Sequence, residues 1–108
     1  MVPPNLPPTL DEIVRRLRDA LNPRCIYLFG SHAEGTADPQ SDVDLLVVVD
    51  ESRERAGELG AVAYRVVSGI GVPLDILVYS RADFEKRSTW PVSLERTVRD
   101  EGKIIYAA

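Results

Sequence analysis

"YLFGSHAEGTADPQSDVDLLVVVD", residues 27–50, holds the pattern from which the fold can be read. A strand-like apolar run breaks at Gly30-Ser31, crosses a polar stretch and re-enters a strand that carries Asp42 and Asp44 at the mouth of the apolar run 45–49. Side chains alternate along a strand, so Asp42 and Asp44 should project from one face, with Val43 and Leu45 on the other. Two carboxylates so close repel, and each raises the other's pKa unless a cation sits between them. A divalent metal would remove that conflict, and oxygen-only ligands favour Mg2+ or Mn2+ over zinc or copper. Alone, Asp-x-Asp reads first as a solvated strand end.

A third acid bears on the choice. Asp75 lies within Val72-Pro73-Leu74-Asp75-Ile76-Leu77-Val78-Tyr79, flanked by aliphatic residues where a charge is costly without a partner. If this third strand pairs with the second, the spacing of about 4.8 Å between strands brings Asp75 to the other two. Three carboxylates could hold two metals roughly 3.5–4 Å apart, the arrangement used in phosphoryl and nucleotidyl transfer. The bland alternative for Asp75 is an edge residue facing water. Gly30-Ser31 weighs against it. A strand that ends in glycine and serine and turns into a helical turn offers backbone amides and a hydroxyl to a phosphate. Glycine also has no Cβ to hold that phosphate away.

The rest of the chain frames these residues. At 108 residues it is expected to form one domain, residues 9–108, behind a proline-rich extended lead-in, residues 1–8. Thirteen basic against seventeen acidic residues leave a net charge of −4, which argues against strong direct nucleic-acid binding. The apolar runs fall well short of the roughly 20 residues needed to cross a bilayer. Met1-Val2-Pro3-Pro4 does not open a secretory signal, and Cys25 is the only cysteine. A cytoplasmic location is expected.

Thr9-Leu10-Asp11-Glu12 has the spacing of a capping box, and Leu10, Ile13, Val14, Leu17 and Leu21 fall on one helical stripe that Asn22-Pro23 stops. Strands are expected at 25–29, 42–49 and 73–79, with one helical turn after Gly30. A long helix from Ser52 to about Ile70 should bury Leu59, Val62, Ala63, Val66, Val67 and Ile70. Ser80-Arg81-Ala82-Asp83 begins a short helix, Pro91 suits the first turn of a last one, Gly102 ends it, and 104–106 forms a short terminal strand. The class is α/β (α+β), built on three central strands.

"GSHAEGTADPQSDVDLLV" resembles the signature of the minimal nucleotidyltransferases in the DNA polymerase β-like superfamily: Gly-Ser, ten residues, then Asp-x-Asp. The likeness extends over the order of elements and to the closing "RDEGKIIYAA". It implies an α-β-α-β-α-β core, a mixed three-stranded sheet in order 1-2-3, and C-terminal helices. It implies attack of a substrate hydroxyl on the α-phosphate of ATP with loss of pyrophosphate. Asp42, Asp44 and Asp75 would be the catalytic carboxylates and the ligands of two Mg2+ (or Mn2+) ions, and Gly30 and Ser31 would bind the nucleotide's outer phosphates. Asp75 would also accept the hydroxyl proton.

The resemblance further implies that a separate helical HEPN protein supplies the acceptor side, in a toxin–antitoxin pair whose toxin is adenylylated by this chain. The alternatives are a homo-oligomer, a transferase for a small hydroxylated molecule, and a catalytically weak module that neutralises its partner by contact. Glu34 departs from the family, which commonly has a basic residue there. His32 is expected to pack rather than react, and Trp90 to be either a core anchor or an interface residue. Arg15, Arg16 and Arg18 are expected on a solvated helix face. Arg96, Arg99 and Lys103 are within plausible reach of a triphosphate but interleaved with acids.

Overall fold

The order of elements is α1 (Leu10–Leu21), β1 (Cys25–Phe29), α2 (Ser31–Glu34), β2 (Val43–Val49), α3 (Arg53–Val66), β3 (Leu74–Ser80), α4 (Arg81–Ser88), α5 (Leu94–Glu101) and β4 (Lys103–Ala107). These come from a computed structural model, which describes residues 10–37 and 41–108. Thr9 and the proline-rich lead-in lie outside the described residues. The carboxylate of Glu12, the other half of the expected capping box, engages Arg15 and Arg16. Arg16 also donates to the carbonyl of Val66 at 3.2 Å, so it fastens α1 to the end of α3 rather than merely facing solvent.

Four strands form one sheet in the order β3-β2-β1-β4. β1 is antiparallel to β2 and to β4, and β2 is parallel to β3, with α3 as the crossover that a parallel pair needs. The expected 1-2-3 sheet is therefore present, and β4 extends it along β1's other edge. Gly102 permits this: a β-carbon there would meet the carbonyl oxygens of Val98 at 2.5 Å and Leu28 at 3.1 Å. The chain passes from α5 into β4 through a gap with no room for a side chain.

Alternation along β2 divides the core. Val43, Leu45, Val47 and Val49 pack with Ile26, Leu28 and Ile76 against the stripes of α1 and α3. Leu46 and Val48 pack with Phe84 of α4 and Val98 of α5 on the opposite face. Covering both faces explains why β2 is apolar almost throughout. Leu59, Ala63 and Val67 are buried as expected, with Val62, Val66 and Ile70 packed beside them.

Helix ends differ in places from the sequence reading. α3 stops at Val66, so Ile70 packs from the following turn. The last helix begins at Leu94, where Ser93 caps it by accepting from the Arg96 amide at 3.0 Å. Pro91 thus lies in the preceding connection, because the side-chain acceptor that an N-terminus needs arrives only at Ser93. Ser80 caps α4 through the Asp83 amide. The Asp83 carboxylate forks instead with Arg53 at 2.9 and 3.0 Å, tying together the starts of α3 and α4.

Candidate active site

The topology brings three chain segments to one edge of the sheet. Because β1 runs antiparallel to β2, its last residue, Phe29, lies opposite Asp44. Because β3 runs parallel to β2, Asp75 lies opposite Asp44 on the other side. Asp44 shares its face with Leu46 and Val48, and Asp75 shares that same face with Leu77 and Tyr79. Asp42 precedes β2 and is exposed.

The electrostatics place Asp44 at the centre of this group. Burial first, then the Asp75 and Asp42 carboxylates, push its carboxyl above the ordinary value of 3.8, while nearby His32 works in the opposite sense. Among the described residues, no lysine or arginine forms an ion pair with any of the three aspartates. This is a concentration of carboxylates with no lysine or arginine paired to it among the described residues, which suits a hard divalent cation. In their present positions, no group of three His, Cys, Asp or Glu side chains among the described residues is arranged around a single ion. The donor set fits magnesium or manganese as separate carboxylates whose remaining ligands would come from a bound nucleotide.

Gly30 is built against Asp44. Its backbone, at φ 75° and ψ −156°, occupies a region that side chains exclude, and a β-carbon there would collide with Asp44 Oδ2. Gly30 starts α2, where its carbonyl accepts from the amides of Ala33 and Glu34. Ser31 follows, half-buried, so the glycine-serine turn and the aspartates are immediate neighbours.

His32 packs, as expected, but it also does something the sequence did not reveal. It is buried on α2, and its Nε2 lies 3.2 Å from the carbonyl of Ser41, to which an Nε2–H donates. That contact fastens the glycine-serine turn to the residue before Asp42. Tyr64 was not foreseen either. From α3 its hydroxyl lies 3.4 Å from Asp75 Oδ1 and accepts from the Ile76 amide at 2.8 Å. Nothing in its sequence neighbourhood signals this, because the contact exists only once the crossover has docked on β3.

Glu34 is exposed at the end of α2. It lines a recess of about 160 Å3 together with Phe29, Gly30, Ala33, Thr97 and Glu101. A larger recess of about 390 Å3, bounded by Arg24, Cys25, Tyr27, Phe84 and Arg99, opens at the other end of β1. Burial pushes the Cys25 thiol up, which leaves it a poor nucleophile. Arg99 is drawn to Asp100 and Ser88, and Arg96 to Asp100. Neither is gathered towards the aspartates. Trp90 is 47% exposed, with the Arg87 guanidinium over its ring at 5.7 Å.

Residues 10–105 match the family described as nucleotidyltransferase domain. A Methanocaldococcus jannaschii protein named "Putative protein adenylyltransferase MJ0604" is 31% identical over 99 residues, covering 90% of this chain and 94% of the relative. A solved toxin–antitoxin with AMP-PNP aligns over 91% of this chain and 73% of its own, at 23% identity and a TM-score of 0.59. A mutant of the toxin–antitoxin MntA-HpeT aligns over the same shares, at 20% identity and a TM-score of 0.53. At such identities the two structures bear on the fold, which this chain shares.

Proposed function

The chain belongs to the nucleotidyltransferase domain family, and on that premise we propose that it transfers AMP from ATP to a hydroxyl of a partner protein with the help of magnesium or manganese. The observation that carries this reading is the meeting of Asp44 with Asp75 on one side and the Gly30 turn on the other. The name of the methanogen relative supports a protein acceptor. The two solved toxin–antitoxin relatives support a toxin as that acceptor; its HEPN type is part of the proposal and rests on the sequence resemblance alone.

Each residue has a defined task in this proposal. Gly30 and Ser31 hold the outer phosphates with backbone amides and the serine hydroxyl. Asp42 and Asp44 hold the cation that accompanies the triphosphate, and Asp75 completes the set. A divalent ion, when bound, would neutralise the carboxylates and stabilise negative charge on the phosphates. Asp75 accepts the proton of the acceptor hydroxyl as its oxygen bonds to the α-phosphorus and pyrophosphate leaves.

A second reading, a module that binds its partner with little catalysis, draws on Glu34. An acid in the same recess as Gly30 repels a triphosphate. Incubation with α-labelled or γ-labelled ATP, Mg2+ and the protein that co-purifies from its own cells separates the two. Transfer predicts α-label on the acceptor and none from the γ-position, whereas the binding module predicts a stable complex and no label. Asp75→Asn keeps the size of the side chain but removes its basicity. General-base assistance is worth about 10²–10⁴-fold, so single-turnover transfer should fall at least about a hundredfold. ATP affinity should stay within roughly tenfold.

A further inference from the structure

β3 is an outer strand of the sheet, so alternate backbone groups along it point away from β2. The Val43 amide donates to the Pro73 carbonyl, which fixes residues 73 and 75 as the ones facing β2 and leaves Ile76 facing outward. The outward Ile76 amide donates to the Tyr64 hydroxyl at 2.8 Å. With one lone pair so engaged, that hydroxyl has its own proton to give, and Asp75 Oδ1 is 3.4 Å away. Among the described residues it is the one hydrogen-bond partner of the Asp75 carboxylate. The ring contributes little to the core, being 46% exposed.

We propose that Tyr64 is a positioning residue for Asp75: a chain of donors, Ile76 amide to Tyr64 hydroxyl to Asp75 Oδ1, turns the carboxylate so that Oδ2 faces the reaction. The proposal rests on the role given to Asp75 above. A neutral donor suits the task better than arginine or lysine, because it orients the carboxylate without cancelling the charge needed to hold a cation and receive a proton. The distance of 3.4 Å is long for an O–H···O bond. Catalytic contacts are often that loose before substrate arrives and tighten in the complex.

The test compares Tyr64→Phe, Asp75→Asn and the double variant in the full chain. Single-turnover pyrophosphate release from ATP with Mn2+ is measured with water as acceptor, ATP affinity is measured by calorimetry, and bound Mn2+ is counted by electron paramagnetic resonance in the presence of AMP-PNP. Tyr64→Phe is expected to slow release by roughly tenfold, the worth of one hydrogen bond to a charged group. ATP affinity should stay within about twofold, and Mn2+ occupancy should saturate at a higher concentration. The double variant should be no slower than Asp75→Asn, since Tyr64 acts only through that carboxylate. Slowing that multiplies in the double variant would mean Tyr64 acts elsewhere and would overturn the proposal. So would an unchanged rate with unchanged Mn2+ binding in Tyr64→Phe while Asp75→Asn is slow. A wild-type rate in Asp75→Asn would instead remove the role of Asp75, and that of Tyr64 with it.

Discussion

Gly30 and Asp44 constrain one another. The glycine's backbone angles exclude a side chain, and the space that a β-carbon would take is filled by the Asp44 carboxylate. The residue pair thus explains why a glycine follows Phe29, the last residue of β1, opposite Asp44. Asp44 carries the cost. Its carboxyl is harder to ionise in the folded chain than in the unfolded one, because of burial and of Asp75 and Asp42. As pH rises above the ordinary value of 3.8, the unfolded chain releases this proton first, so folding loses stability across that window and does not regain it at higher pH. In metal-free protein, Asp44→Asn should therefore be more stable than wild type at neutral pH. The advantage should vanish as pH falls towards 3.8, which urea unfolding at a series of pH values would reveal. An advantage that persists unchanged into acid would mean that charge is not its source.

At the scale of elements, β2 organises the molecule. It lies between β1 and β3 and is packed on both faces. Leu45, fully buried on the α1–α3 face, has no solvent into which its neighbours can relax. Leu45→Ala should cost about 2–5 kcal/mol, measured as a lower urea midpoint with little change in slope. Elements of this kind were legible in the sequence, since a long apolar run between turn signals has few other fates. β1, the stripe of α1 and the Asp44–Asp75 juxtaposition followed from period and strand pairing. The attachment of β4 to β1 did not, because it depends on the tight passage at Gly102. Nor does the sequence signal the state of Glu95, one of the acids interleaved with Arg96 and Arg99: it is buried on α5 and paired with Arg87 at 3.5 Å. Arg87 in turn lies over the rings of Tyr79 and Trp90. Contacts between elements distant in sequence, such as Tyr64 with Asp75 or His32 with Ser41, leave no periodic trace.

The whole molecule carries a net charge of −4, and three of its acids meet at one edge of the sheet without a basic partner among the described residues. Such an arrangement works against stability unless a cation joins it. Membership of the nucleotidyltransferase domain family, the Gly30 turn and the parallel alignment of β2 with β3 all converge on that edge. We propose that Asp42 and Asp44 hold a metal–nucleotide complex there. Calorimetric titration of ATP in the presence of Mn2+ tests it most directly, with wild type beside the Asp42→Asn, Asp44→Asn double variant. Saturable, metal-dependent binding to wild type is expected, with loss of that binding in the folded double variant. Equal affinity in the two proteins would contradict it.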